Sequence, residues 1–402
     1  MTFRAVHVAV SRIAPWLAFA ASLAAADKPR ARDLGVPFEG TPGPLNAITD
    51  VAGVEVGHVT LISGEGKLEV GRGPVRTGVT AILPRGNGPG AAPVYAGVFS
   101  LNGNGEMTGT AWIEESGFLE GPVVLTNTHS VGVARDAVIA WKTRSLGSNL
   151  PQVFWSLPVV AETWDGWLND INGFHVKPEH VFAALDQARG GAVAEGSVGG
   201  GTGMICYEFK GGIGTASRRL SAGLGGYTLG VLVQANHGIR RQLTIAGVPV
   251  GREIGGGRRR VAGADPLDLA GASVGEVGSI IIVIATDAPL LPHQLKRLAR
   301  RASLGLARTG SVSGNGSGDL FLAFSTANPG AARERGGPVD LKALPNEDLS
   351  PLFELTVEAV EEAIINALVA ADTMTGSDGH VAEALPIDRL QKILATYNRL
   401  AR

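Results

Sequence analysis

The sequence predicts a layered α/β protein. Runs of β-branched residues such as Ile280-Ile281-Ile282-Val283-Ile284 occur along the chain in mixed order with stretches of helical spacing. Glycine is abundant, 57 of 402 residues, in a chain that is 45% apolar, which suits dense packing with many close backbone approaches. Aromatic residues are only 5%, so that density comes from Gly, Ala and Val. The mixed order leaves α/β and α+β layering both open. The length accommodates one large or two ordinary domains.

The elements follow in order. Residues 1–26 read as a secretory signal peptide. Arg4 and Arg12 precede an apolar stretch over 13–23, which closes on Ala24-Ala25-Ala26 before Asp27-Lys28-Pro29. That stretch is too short to span a bilayer comfortably, and no other uncharged apolar run of that kind follows, so no membrane partner is expected. The other reading is an amphipathic helix of the fold. Export from a Gram-negative host would deliver the protein to the periplasm. Residues 30–44 are rich in Pro and Gly and read as an extended lead-in. Strands are expected over 51–60, 78–84, 94–99 and 122–126, separated by turn signals such as Arg85-Gly86-Asn87-Gly88-Pro89-Gly90. Helices are expected over 131–141 and 178–188, the second started by Pro178.

Residues 227–236 read as a strand with a polar end at Asn236. Residues 251–278 are rich in Gly, Arg and Asp and read as an exposed, flexible linker. At Ser279 the character switches to a β-branched run, the mark of a strand buried on both faces. A basic amphipathic helix over 290–306, a strand over 320–324 and a long helix over 352–371 complete the chain.

Composition narrows the function. The formal charge of −2 without a long basic run gives no electrostatic basis for nucleic-acid binding. The basic cluster at 258–260 beside three glycines reads as a solvated loop. The single cysteine, Cys206, has no internal disulfide partner and no zinc-like Cys/His spacing. Its apolar setting, Met204-Ile205-Cys206-Tyr207, favours a core residue over a reactive thiol.

Few motifs carry chemistry. Gly271-Ala272-Ser273-Val274-Gly275 has the Gly-x-Ser-x-Gly spacing but lacks the strand before and the helix after that a nucleophile elbow needs. Gly199-Gly200-Gly201-Thr202-Gly203 suits either an amide cradle for an anion or tight backbone packing. Gly278-Ser279 stands out because the serine lies where the linker meets a buried strand. Were the preceding bond cut, Ser279 would gain an α-amine of pKa about 7.7–8.0, close to ideal for a general base near neutral pH. By itself the pair reads first as an ordinary turn before a strand.

Five blocks together point further. They are Gly278-Ser279-Ile280-Ile281-Ile282-Val283-Ile284-Ala285-Thr286-Asp287-Ala288-Pro289-Leu290-Leu291, Gly200-Gly201-Thr202-Gly203-Met204, Val233-Gln234-Ala235-Asn236-His237-Gly238, Asn315-Gly316-Ser317-Gly318-Asp319 and Ala363-Ile364-Ile365-Asn366-Ala367. In this combination the chain resembles the self-processing N-terminal nucleophile aminopeptidases of the DmpA type, which include the L-aminopeptidase/D-Ala-esterase/amidases and the exported β-peptidyl aminopeptidases. The leader makes the last group the nearest match.

The resemblance implies a four-layer α/β/β/α sandwich like that of N-terminal nucleophile hydrolases, with a different strand connectivity. It implies autocleavage between Gly278 and Ser279 into an α chain, residues 27–278, and a β chain, residues 279–402. The two chains would remain one domain and assemble as a homotetramer of heterodimers. By the same resemblance Ser279 is the nucleophile, Asn236 an oxyanion donor, and Ser317 and Asp319 orient the nucleophile and its amine. Glu162 is the expected holder of the substrate ammonium, with Asp165 in reserve, and Phe154 and Trp164 are expected pocket walls. Glu162 read alone is also compatible with a surface charge, and Ser317 and Asp319 with a turn before a strand. No metal or organic cofactor is implied. The expected substrate is a peptide or amino acid amide with a free N-terminus, led by β-residues such as β-alanine. An α-amino acid aminopeptidase, amidase or esterase is the rival enzyme, and an exported binding protein the rival without activity.

Overall fold

The computed structural model describes residues 28–86, 88, 92–255, 277–332 and 337–401. The leader at 1–26, the basic cluster at 258–260 and the motif at 271–275 lie outside the described residues.

The first half runs β1 (Glu55–Ser63), β2 (Val75–Leu83), β3 (Val94–Gly103), α1 (Thr110–Ser116), β4 (Phe118–Leu119), β5 (Val123–Asn127), α2 (Val131–Leu146), β6 (Val159–Thr163) and α3 (Pro178–Asp186). The second runs β7 (Ile205–Cys206), β8 (Phe209–Lys210), β9 (Gly212–Arg219), β10 (Thr228–Asn236), α4 (Val250–Ile254), β11 (Val277–Thr286), α5 (Pro292–Arg308), β12 (Gly316–Ser325), α6 (Ser350–Val369), β13 (Met374–Thr375), β14 (Val381–Ala382) and α7 (Ile387–Thr396). One sheet has the order β1-β2-β5-β6 and the other β4-β3-β12-β11-β10-β9. The pairs β5–β6 and β11–β12 are parallel, and β10–β11 is antiparallel.

Three apolar cores define four layers. Val79, Ala81 and Val160 of the first sheet pack on Ala134, Val138 and Leu185 of α2 and α3. Ile82, Leu125 and Ala161 meet Leu232, Ile281 and Leu322 between the sheets. Ile280, Ile282 and Ile284 pack on Leu295, Leu298, Ala363 and Leu368 of α5 and α6. The expected α/β/β/α sandwich is therefore present. β11 shows why its sequence is apolar throughout: successive residues alternate between two dry layers, so neither face offers water to a polar side chain. Full burial of each such isoleucine contributes roughly 1.5–3 kcal/mol. In α5 the buried residues Leu295, Leu298, Ala302 and Leu306 recur at helical spacing, and its arginines take the other face.

Several boundaries move. The strand expected over 51–60 starts at Glu55, because Val51 to Val54 closes a turn (Val54 N–H to Val51 carbonyl, 3.1 Å). The strand expected from 320 starts at Gly316, where it pairs with the start of β11. The expected linker begins with α4, in which Val250, Gly251 and Ile254 are buried. The lead-in is turned as well as extended, and it is tethered. Arg32 Nε donates to Glu362 Oε1 (2.8 Å), whose other oxygen meets the fully buried Arg218 (2.7 Å). The five glycine-rich residues at 199–203 serve tight packing: a Cβ on Gly201 would stand 2.4 Å from Ile213 N, and one on Gly203 2.3 Å from the Arg76 carbonyl. Cys206 is fully buried in the outer core, as expected for a structural thiol. Among the described residues no helix is long and apolar enough to cross a membrane.

Candidate active site

β10, β11 and β12 lie side by side and bring three blocks of the sequence together. Ser279 is registered against Asn236 on one side and Gly318 on the other. It sits within β11 rather than at a loop junction, because Val277 and Gly278 already pair with Gly316 and Ser317. Strand alternation turns Ser279 to the inter-sheet side with Ile281 and Val283. The Gly318 N–H donates to Ser279 Oγ at 3.1 Å. Glycine is required at 318 for close approach, since a Cβ there would stand 2.4 Å from the Asn104 carbonyl in the loop after β3.

Asn236 ends β10, and its carboxamide is fixed at both ends. Oδ1 accepts from the Ile205 N–H (2.7 Å) and Nδ2 donates to the Trp164 carbonyl (2.9 Å). These partners settle which end is nitrogen, and an amide nitrogen has a second hydrogen for a further acceptor. The Ile205 donor belongs to the β7–β8 hairpin. Lys210 in that hairpin donates to the carbonyls of Gly211 (2.8 Å) and Gly201 (3.2 Å). Burial lowers the Lys210 pKa to about 7. Burial also pushes His237 down to about 3, so this imidazole is neutral near physiological pH.

Ser317 Oγ donates to Asp319 Oδ1 at 2.6 Å. Both residues lie inside β12, not in a turn before it. Register sets Ser317 beside Gly278 and Asp319 beside Ile280, so the two residues flank Ser279 along the neighbouring strand. The hydroxyl–carboxylate pair thus lies alongside the Ser279 backbone on the neighbouring strand, while the Gly318 N–H meets Oγ.

Glu162 is not a surface charge. It lies on β6 with only 3% exposure; Ser279 is 5% exposed. Its Oε1 accepts from the Glu106 N–H (3.0 Å), and its Oε2 from the Thr128 hydroxyl. Burial raises its pKa, and the Thr128 and Glu106 hydrogen bonds only partly offset that. Among the described residues no Lys or Arg forms an ion pair with it. A buried carboxylate without a cation gains when an ammonium arrives. Gly105 joins the two halves of the site: a Cβ on it would lie 3.3 Å from Glu162 Oε1 and 3.2 Å from Gly318 Cα.

The other expected residues divide. Trp164 contributes its carbonyl to Asn236, and its half-buried ring lies over Gly166. Phe154 is half-buried in the irregular segment before β6 and has no described link to Ser279 or Asn236. Asp165 is fully buried and accepts from Asn169 Nδ2 (3.0 Å), within a polar cluster with Thr77 and Asn127. Burial raises its pKa to about 6. Its hydrogen bonds face this polar cluster, and its side chain has no exposed surface. Sequence reading missed the Gly318 N–H, the Ile205 N–H and Thr128. The first two are backbone donors and leave no side-chain signal. Among the described residues no group of three or more His, Cys, Asp or Glu could hold a metal. A cavity of about 930 Å³ lined by Tyr227, Asp287, Asn328 and Lys342 lies by the far ends of β11 and β12 and shares no residue with this site.

The arrangement offers a hydroxyl with a backbone donor, a fixed carboxamide donor and a buried carboxylate within one small space, which is what acyl transfer from an amine-bearing substrate needs. The model of peptidase family S58 matches residues 46–382. The chain is 56% identical over 388 residues to the β-peptidyl aminopeptidase BapA of Sphingosinicella microcystinivorans, covering 95% of this chain and 96% of that one. It is 52% identical over 387 residues to BapA of Sphingosinicella xenopeptidilytica, covering 94% and 93%. The solved L-aminopeptidase D-Ala-esterase/amidase of Ochrobactrum anthropi, a variant of the N-terminal nucleophile hydrolase fold, superposes with a TM-score of 0.84 at 51% identity. That match covers 93% of this chain and 100% of that one.

Proposed function

The chain belongs to peptidase family S58, and from that premise we propose that it is an exported β-peptidyl aminopeptidase that activates itself by cutting the Gly278–Ser279 bond. It is a serine-type N-terminal nucleophile peptidase. The two BapA relatives support the β-residue preference. The observation that carries the mechanism is the meeting of Ser279 Oγ with the Gly318 N–H opposite Asn236.

In the first cut Ser279 Oγ attacks the Gly278 carbonyl carbon. The C–N bond breaks, its nitrogen takes the hydroxyl proton, and an ester forms. Water hydrolyses the ester, leaving a Gly278 carboxylate and a free Ser279 amine. Gly278 suits this because a Cβ there would stand 1.9 Å from the Asn236 carbonyl, so the bond is packed directly against β10. In turnover the amine takes the Oγ proton as Oγ attacks the substrate carbonyl. Asn236 Nδ2 and neighbouring N–H groups hold the oxyanion, and the same proton passes to the leaving amine. Water then releases the acyl group. Ser317 and Asp319 hold the Ser279 amine in place, and Glu162 binds the substrate ammonium. The processed units assemble as a tetramer in the periplasm.

N-terminal sequencing and intact mass test the proposal. Active protein should give two fragments, one starting at Ser279, whereas Ser279→Ala should stay whole and inactive. A single start near residue 27 in active protein would sink it. The 51% identical esterase/amidase favours a second reading, activity on α-amino acid amides. Matched β-alanine and L-alanine amides separate the two, and equal hydrolysis of N-acetylated and free-amine forms would remove both.

A further inference from the structure

Gln234 is a fully buried polar residue in the middle of an apolar strand, and the mechanism above does not use it. Its side chain crosses from the nucleophile's sheet to the sheet that carries Glu162. Nε2 donates to the Thr126 carbonyl (2.9 Å) and to Thr163 Oγ1 (2.8 Å). Thr126 is the residue registered against Glu162 across β5 and β6, and Thr163 follows Glu162 in the chain. One carboxamide therefore grips both neighbours of Glu162. Thr163 Oγ1 can accept from it because its own hydrogen is directed to Met204 Sδ (2.8 Å). The carbonyl of Thr126 can only accept, which fixes the orientation of the amide.

The other end of the grip is equally defined. Gln234 is registered against Ile281, and Asn236 against Ser279, on the same ladder. A second tie, from Asn236 Nδ2 to the Trp164 carbonyl, holds the chain just beyond Thr163. The distance from Glu162 to Ser279 is therefore set by side-chain bonds between sheets as well as by apolar contact, which resists sliding less than directional bonds do.

We propose that Gln234 is a positioning residue that sets the reach between the ammonium-binding carboxylate and the nucleophile, and with it the preference for β- over α-amino acids. This rests on the reading of Glu162 as the ammonium anchor. A β-residue carries its ammonium one carbon further from the carbonyl than an α-residue does. A site that distinguishes them needs a fixed span, because a span free to vary accommodates both.

The test compares Gln234→Leu and Thr163→Val with wild type on β-alanine and L-alanine p-nitroanilides, and measures the extent of self-cutting. Self-cutting needs Ser279 but no ammonium, so it reports the nucleophile separately from the anchor. The β/α ratio of kcat/KM should fall about fivefold or more in Gln234→Leu, the usual worth of a lost hydrogen bond. The change should lie in KM, with cutting complete. Thr163→Val removes one acceptor while keeping the shape, and should shift the ratio in the same direction by less. An unchanged ratio, or equal losses on both substrates together with slow cutting, overturns the proposal by reducing Gln234 to a structural role. If Gln234→Leu does not fold, the ratio in Thr163→Val decides. Glu162→Gln, measured alongside, separates the two ideas. If it leaves hydrolysis of both substrates unchanged, the anchor itself is wrong and the positioning role falls with it. If it weakens both while the Gln234 and Thr163 variants keep the wild-type ratio, only the positioning role falls.

Discussion

Asn236 faces Ser279 directly across the β10–β11 ladder, and its carboxamide is pinned between the Ile205 N–H and the Trp164 carbonyl. A donor held in this way does not have to reorganise when charge develops on a neighbouring oxygen. In the proposed mechanism both the first cut and each later turnover form such an oxyanion beside Ser279.

Removing this donor should therefore affect both reactions. Asn236→Ala should lower kcat by about 10²–10³, the typical cost of one preorganised oxyanion donor. It should also slow the appearance of a fragment starting at Ser279. Steady-state kinetics and a time course of cutting after purification measure the two effects. Wild-type turnover in this variant would remove Asn236 from the chemistry.

Glu162 should give the enzyme an acid limb at unusually high pH. Burial raises its pKa, so it takes up a proton at a pH where an exposed glutamate would still be charged. The neutral form cannot pair with an ammonium. As pH falls, kcat/KM for free-amine substrates should drop early, since kcat/KM reports the free enzyme. Glu162→Gln should lose about 1.5–3 kcal/mol of transition-state binding near neutrality, the worth of a hydrogen bond to a charged group, and should lack that limb. An identical pH profile in wild type and Glu162→Gln would contradict the assignment.

Asp165 makes a prediction about stability. Its pKa in the fold is about 6 because of burial, against an ordinary aspartate value of about 3.9. Below the ordinary value both folded and unfolded chains hold the proton, and nothing is lost. Between the two values the unfolded chain ionises first, so stability falls as pH rises, and above about 6 the loss is complete at about 3 kcal/mol. Asp165→Asn removes the ionisation. Relative to wild type it should gain stability between pH 4 and pH 7, read from urea denaturation at both values. A difference between the two proteins that does not change with pH would refute the argument.

Much of the fold was legible, for identifiable reasons. β11 and α5 announce themselves because one is buried on both faces and the other has an arginine face opposite a Leu/Ala face. β9 did not, because Gly212–Arg219 buries Thr215, Ser217 and Arg218. Its polar groups are satisfied by distant partners: Glu362 for Arg218 and Asp50 for Ser217. Hydropathy cannot register a strand whose burial depends on residues elsewhere in the chain. The four-layer arrangement came from the resemblance, since periodicity identifies buried faces but not which faces meet. Within the site, Asn236 was visible as the polar end of an apolar strand. Gly318 was visible only as a glycine, because its contribution is an N–H that every residue except proline possesses.

The central pair of the six-stranded sheet has a kinetic consequence. β11 and β12 lie between β3 on one side and β10 and β9 on the other. A break at Gly278–Ser279 leaves nearly all of β11 and the whole of β12 on the second fragment, and gives β3, β9 and β10 to the first. The fragments are interleaved, so they cannot separate without dismantling the sheet. Unfolding of the cut protein thus becomes a dissociation. Its transition midpoint should climb more steeply with protein concentration than that of uncut Ser279→Ala, because the cut chain must make one more association to refold.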